Sequence, residues 1–210
     1  MIEGINLSKS FGASGLQPVS FTLHDGELLC IAGESGCGKT TLLNIISGML
    51  KPDTGTVLVN GTDIGTISEH EKTALRAHTI GYMMQGNVLL PDFTVLQNID
   101  MPARFAGKNP TPEQGKQLAE RLHIDHLLGA YPSSLSGGEY RRVMLARILL
   151  LDPPIIAADE PTSNLDSGSA AIVRDLLLEA NQSGKSILIA THDPILLRDA
   201  PACLTLSAEA

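Results

Sequence analysis

The sequence predicts an α/β fold on a parallel sheet, with a small antiparallel β portion near the start and a helical insertion in the middle. Three observations predict it. Short apolar runs at Glu27–Ala32, Ile80–Met84, Ile155–Ala158 and Ser186–Ala190 read as buried strands. Helical spacing appears at 39–50 and over Ala170–Ala180, between such runs, and strands alternating with helices imply parallel pairing. From about Asn87 to Leu151 the pattern is helical, with loops.

The elements follow in order. Ile5–Leu7 and Val19–Leu23 are short β-like runs, and His24-Asp25-Gly26 turns the chain into Glu27–Ala32. In 39–50, Leu42, Ile46 and Met49 share one stripe with Leu43 and Leu50 beside it; Pro52 and Gly55 stop that helix. Thr56–Val59 is a strand, and Asn60-Gly61 is a hairpin signal because both central positions of the tight turn need positive φ. In the helical stretch, Thr111-Pro112-Glu113-Gln114 supplies a cap, a first-turn proline and a capping-box partner.

Composition narrows the function classes. Fifteen Lys and Arg against 23 Asp and Glu leave a formal charge of −8, which disfavours nucleic acid as a partner, since that needs phosphates neutralised over a surface. One small phosphate ligand remains possible, because local backbone amides can hold it. Three cysteines, Cys30, Cys37 and Cys203, have neither CxxC nor metal-like spacing and fit a reducing cytosol. The first ten residues lack the basic run and apolar core of a signal peptide. No apolar run reaches the ~18 residues of a membrane span, so a membrane role has to come through a partner.

Gly33-Glu34-Ser35-Gly36-Cys37-Gly38-Lys39-Thr40 fits GxxxxGK[ST], the phosphate-binding P-loop, between a predicted strand and a predicted helix. The glycines let successive N–H groups point at a phosphate, and the helix N-terminus adds partial positive charge. Lys39 supplies a charge for the β- and γ-phosphates; Thr40, with Thr41 beside it, supplies a hydroxyl for Mg²⁺. Cys37 lies near Lys39 and the helix N-terminus, which favours thiolate and predicts that alkylation blocks ATP binding; a buried, inert thiol is the alternative. Ser183-Gly184-Lys185-Ser186 ends in GKS, but position 179 is Glu179 and a strand follows, so it reads as a turn.

The strand Ile155–Ala158 runs into Asp159-Glu160, at the sheet edge where α/β proteins bind ligands. Asp159 suits a Mg²⁺ ligand, and Glu160 a general base that polarises water. Ser136 and Glu139 in Leu135-Ser136-Gly137-Gly138-Glu139 form a capping box, so a second glycine-rich helix N-terminus could receive an anion.

This LSGGE resembles the LSGGQ signature of the ABC ATPases, with Glu139 where Gln is usual. The family's other marks occur in order. Gln85 matches the Q-loop glutamine, which in the family also serves the metal; Ser163-Asn164-Leu165-Asp166 matches the D-loop, with Ser163 where Gly is common; His192 matches the switch histidine. Phe11 sits where an aromatic stacks on adenine. Leu89-Leu90-Pro91-Asp92-Phe93-Thr94 with Asn98 is similar to the lipoprotein-releasing, macrolide-export and cell-division group.

The resemblance covers nearly the whole chain. It implies one nucleotide-binding domain over 1–210 with a helical subdomain at about 87–151, and ATP and Mg²⁺ as cofactors. It implies catalytic roles for Lys39, Gln85, Glu160 and His192. Nucleotide contacts fall to the P-loop, Phe11, Asp166 and a partner's Ser136, Gly137, Gly138 and Glu139. It implies a head-to-tail dimer with itself or a homologue, acting on a transmembrane permease subunit at the cytoplasmic face. The rival is an ABC ATPase without a transport role. The ribosome-binding type carries two cassettes and the DNA-repair type a long coiled coil; neither pattern is present.

Overall fold

A computed structural model describes residues 1–12, 14–86 and 88–207. Asn87, where the sequence places the start of the helical stretch, lies outside the described residues.

Two sheets form the frame. β1 (Ile2–Ser10), β2 (Gly15–Leu23), β4 (Thr54–Val59) and β5 (Thr62–Asp63) make an antiparallel sheet in the order β2-β1-β4-β5. β3 (Leu28–Ala32), β6 (Ile80–Met83), β7 (Ile155–Asp159), β8 (Ser186–Ala190) and β9 (Ala202–Thr205) make a sheet in the order β6-β7-β8-β3-β9, with every pair parallel. This parallel sheet is covered on both faces, which is why its strands read as apolar runs. Leu28 and Cys30 join one core with helices α3 (Val95–Phe105), α5 (Gly137–Leu151) and α6 (Ser167–Gln182). Leu29 and Ile31 face the other core, with α1 (Lys39–Ile46) and the antiparallel sheet. Between β6 and β7, the regular elements among the described residues are α3, α4 (Pro112–Arg121), α5 and two short 3-10 turns.

Several expectations need correction. β1 and β2 are longer than their apolar runs, because backbone pairing with each other and of β1 with β4 continues past the apolar residues. α1 stops at Ile46: Ser47 caps it and Gly48 turns at φ 69°, so Met49 leaves the buried stripe and is half exposed. α2 (Glu69–His78) had no counterpart in the periodicity, because none of its residues is buried. Its signal was a capping box, Ser68 with Glu71. α7 (Pro194–Asp199) and β9 were also missed; both are short, and Asp193-Pro194 was the available helix-start signal. The Asn60-Gly61 turn is as expected, with φ of 50° and 78°. Ser183-Gly184 closes α6, and Lys185 pairs with Asp152, so this GKS is a turn.

Asn98 anchors the start of the helical stretch. Its side chain is fully buried, accepts from Leu90 N–H, and donates to the carbonyls of Leu90, Phe93 and Thr94. Asn98→Ala would strand these groups away from water. We expect a loss of about 2–3 kcal/mol, read as an earlier midpoint in urea unfolding.

Candidate active site

β3 ends at Ala32 and α1 begins at Lys39, so the six residues between them form the phosphate loop. Gly33 cannot carry a side chain: a Cβ would lie 2.5 Å from Cys37 Sγ and 2.6 Å from the Leu206 carbonyl. Gly38, at φ 97°, caps α1 without a side-chain hydrogen bond, leaving the first helical N–H groups open for an anion. Lys39 Nζ donates to the carbonyls of Gly33 at 2.7 Å and Glu34 at 3.0 Å, and lies 4.0 Å from Glu160 Oε1.

The acidic strand end faces this loop. Thr40 Oγ1 donates to Asp159 Oδ2 at 2.6 Å, while Asp159 Oδ1 is buried with no hydrogen-bond partner. Burial pushes the Asp159 carboxyl above its ordinary range; the Thr40 hydrogen bond pulls the other way. A buried carboxylate oxygen without a partner, beside a hydroxyl, fits a hard divalent cation with oxygen ligands. Gln85, exposed just beyond β6, lines the same cleft.

Glu160 is almost buried and has φ 49°, a left-handed backbone that costs a non-glycine residue about 1–3 kcal/mol. Its N–H donates to the Ala190 carbonyl at 2.8 Å, tying it to the end of β8. His192 Nδ1 donates to Glu160 Oε1 at 2.8 Å, and the Thr191 hydroxyl donates to Oε2 at 3.5 Å. The His192 side chain is 73% exposed, so it leans from solvent over the carboxylate.

The cleft holds about 670 Å³. Phe11, Gly33, Glu34, Ser35, Gly36, Gly38, Lys39, Thr40, Thr41, Gln85, Asp159, Glu160 and His192 all line it. Phe11 is 54% exposed, with Lys9 Nζ 5.9 Å from its ring centre. Ser14, Gly15, Ser163 and Asn164 also line it; the P-loop and strand-end motifs carried no signal for the first two.

Cys37 is a correction. It belongs to the loop by sequence, but its side chain is 1% exposed and packs into the apolar core with Leu42 and Leu43. Only its backbone can face a phosphate. The buried side chain is the one the alternative describes, and it puts the sulfur out of reach of an alkylating reagent in the folded protein. Cys30 is buried too, and burial pushes its thiol up to about 12. In the native protein, iodoacetamide should label exposed Cys203 and spare Cys30 and Cys37, as peptide mass mapping would show.

Ser136, Gly137, Gly138 and Glu139 do not line the phosphate cleft. They open α5, where Ser136 N–H and Oγ donate to Glu139 Oε2 at 2.7 and 2.8 Å. The Ser136 backbone hydrogen bond holds the Glu139 carboxyl below its ordinary range. Gly137 instead faces a second cleft, which Ser163 and Asn164 share with the first. Asp166, expected at the nucleotide, caps α6 by accepting from Ser169 N–H at 2.9 Å and does not line the phosphate cleft.

A phosphate loop, a strand-end carboxylate pair and a histidine on the second carboxylate define a phosphate-loop nucleotide hydrolase. A family model described as ABC transporter matches residues 16–163, and the chain belongs to this family, as an ATP-hydrolysing ATP-binding subunit. The lipoprotein-releasing system ATP-binding protein LolD of Buchnera aphidicola is 36% identical over 98% of this chain and 93% of its own length. The ABC transporter ATP-binding protein YtrE of Bacillus subtilis is 39% identical over 91% and 87%. The dimeric structure of MJ0796, a bacterial ABC transporter cassette, superposes with a TM-score of 0.92 at 31% identity, covering 99% of this chain and 94% of its own. A post-hydrolysis dimer of MJ0796, bound to ADP and Pi, gives a TM-score of 0.92 at 30% identity over 100% and 97%.

Proposed function

We propose that this chain, acting as one nucleotide-binding domain over 1–210 with its helical part at about 87–151, powers a separate permease subunit through ATP-driven head-to-tail dimerisation. The carrying observation is that the two anion-seeking helix ends lie apart: Lys39 and the P-loop line the phosphate cleft, and Ser136–Glu139 do not. One subunit therefore offers half a site, and a second copy would bring its Ser136–Gly138 end to the γ-phosphate. Asp166, beside the shared loop Ser163-Asn164, would join that contact.

Within the cleft the roles divide by chemistry. Phe11 would stack on the base. Lys39 would leave the loop carbonyls for the β- and γ-phosphates. Thr40, Asp159 and Gln85 would hold Mg²⁺, which supplies charge neutralisation at the phosphate oxygens. Glu160 would accept a proton from water, with His192 orienting its carboxylate and completing the γ-phosphate contacts.

No helix among the described residues is long and apolar enough to cross a membrane. An apolar groove of about 250 Å³, lined by Met49, Tyr82, Met84, Val88, Met144 and Ile148, adjoins the segment that carries Gln85. We read it as the face toward the permease, which would place the chain at the cytoplasmic side of the membrane. The test has two arms. The chain should co-purify from membranes with an integral membrane protein. Chelating divalent cations should stop phosphate release, and added Mg²⁺ should restore it. Purification alone from membranes would remove the partner reading, and metal-independent turnover would remove the Mg²⁺ roles.

A further inference from the structure

We infer that Arg141 is a positioning residue for the Glu160 base, acting through the Ser163 hydroxyl and tying the base to the helix that begins at Ser136. This rests on the reading of Glu160 as the base.

Arg141 lies one turn inside α5, half-buried against the second cleft. Its guanidinium donates to the Met84 carbonyl at 3.5 Å, just before Gln85, and to Ser163 Oγ at 3.3 Å. Burial lowers its affinity for the proton, and the nearby carboxylates of Asp159 and Glu160 oppose that. A serine hydroxyl has a single proton. Because Arg141 can only donate, Ser163 Oγ must accept from it, and its own proton goes to the Glu160 carbonyl at 3.0 Å. Ser163 N–H donates to that carbonyl as well, at 3.2 Å.

The consequence falls on a strained residue. Glu160 keeps its left-handed backbone because its N–H is fixed on one side by Ala190 and its carbonyl on the other by Ser163. Arg141 fixes the direction of the Ser163 hydroxyl, and so the second anchor. It also joins three segments: the start of α5, the segment before Gln85, and the loop after Glu160. Ser163 is where the family commonly has glycine, so both parts of the Arg141–Ser163 link reside in side chains this chain carries.

The experiment is a double-mutant cycle on purified, full-length protein: Arg141→Ala, Ser163→Ala and the pair. For each, kcat from phosphate release is read beside equilibrium ATP binding and the thermal midpoint. We expect Arg141→Ala to lower kcat about tenfold or more while ATP affinity stays within about twofold, because the guanidinium lines the second cleft and not the phosphate cleft. The pair should be no slower than the slower single variant by more than about twofold. A purely structural role would shift the thermal midpoint and leave kcat of the folded fraction intact. Unchanged kcat in Arg141→Ala, or fold-changes that multiply across the cycle, would overturn the inference. If Arg141→Ala does not fold, Arg141→Gln, which keeps bulk and a donor, enters the same cycle. Glu160→Gln runs alongside: normal hydrolysis there removes the base assignment itself, whatever the cycle reports.

Discussion

Lys39→Ala is expected to cut ATP hydrolysis by about 10³-fold or more and to weaken ATP binding, in protein that stays folded. The Lys39 ammonium is satisfied by the Gly33 and Glu34 carbonyls and lies 4.0 Å from Glu160. These partners hold the cation at the mouth of the P-loop. In the proposed site the same ammonium would be the charged P-loop side chain beside the β- and γ-phosphates. Alanine removes that charge where it is least screened, in a largely buried position. The fold should survive, because α1 is held to the core by Leu42, Leu43, Ile45 and Ile46. Circular dichroism and a thermal melt establish folding; phosphate release and nucleotide titration read the effect. Wild-type turnover by the folded variant would contradict the P-loop assignment.

Much of this site was legible in the sequence because its chemistry is local. A glycine-rich loop between a buried strand and a helix has few other uses, and Gly33–Thr40 is contiguous. Acids at a strand end are common caps; the pair Asp159-Glu160 was legible because the chain also carries a P-loop, which gives two acids at a parallel-sheet edge a metal and a water to act on. The parallel sheet was legible because burial on both faces makes its strands uniformly apolar. What escaped is what depends on distant chain segments. Ser14 and Gly15 reach the cleft only because the start of β2 lies against Gly38 of the loop. Cys37 looked reactive because of its neighbours in sequence, whereas its orientation is set by packing against Leu42 and Leu43. Arg141 had no motif of its own; its contacts with Met84 and Ser163 span 57 and 22 residues. α2 escaped because a polar helix with no fully buried residue, touching the core through the partly buried Leu75, has no apolar stripe, and only its cap marks it.

Glu160→Gln carries the second large effect and bears on the central claim, that ATP joins two half-sites. The amide keeps the shape of the side chain, so its neighbours Thr191 and His192 can stay in place and ATP binding should persist. It cannot accept a proton at neutral pH, so turnover should fall by about 10²-fold or more. ATP is then trapped with its γ-phosphate intact. Since Ser136–Glu139 lie outside the phosphate cleft of their own subunit, the trapped γ-phosphate should recruit that helix end from a second copy. Ser136→Arg, added to Glu160→Gln, should prevent this by placing a bulky side chain at the contact. The most direct measurement is the molar mass of Glu160→Gln by light scattering, with and without Mg-ATP. A shift from monomer to dimer that needs ATP, and that Ser136→Arg abolishes, is the predicted result. A Glu160→Gln protein that binds ATP and stays monomeric at high concentration would contradict pairing of this chain with itself.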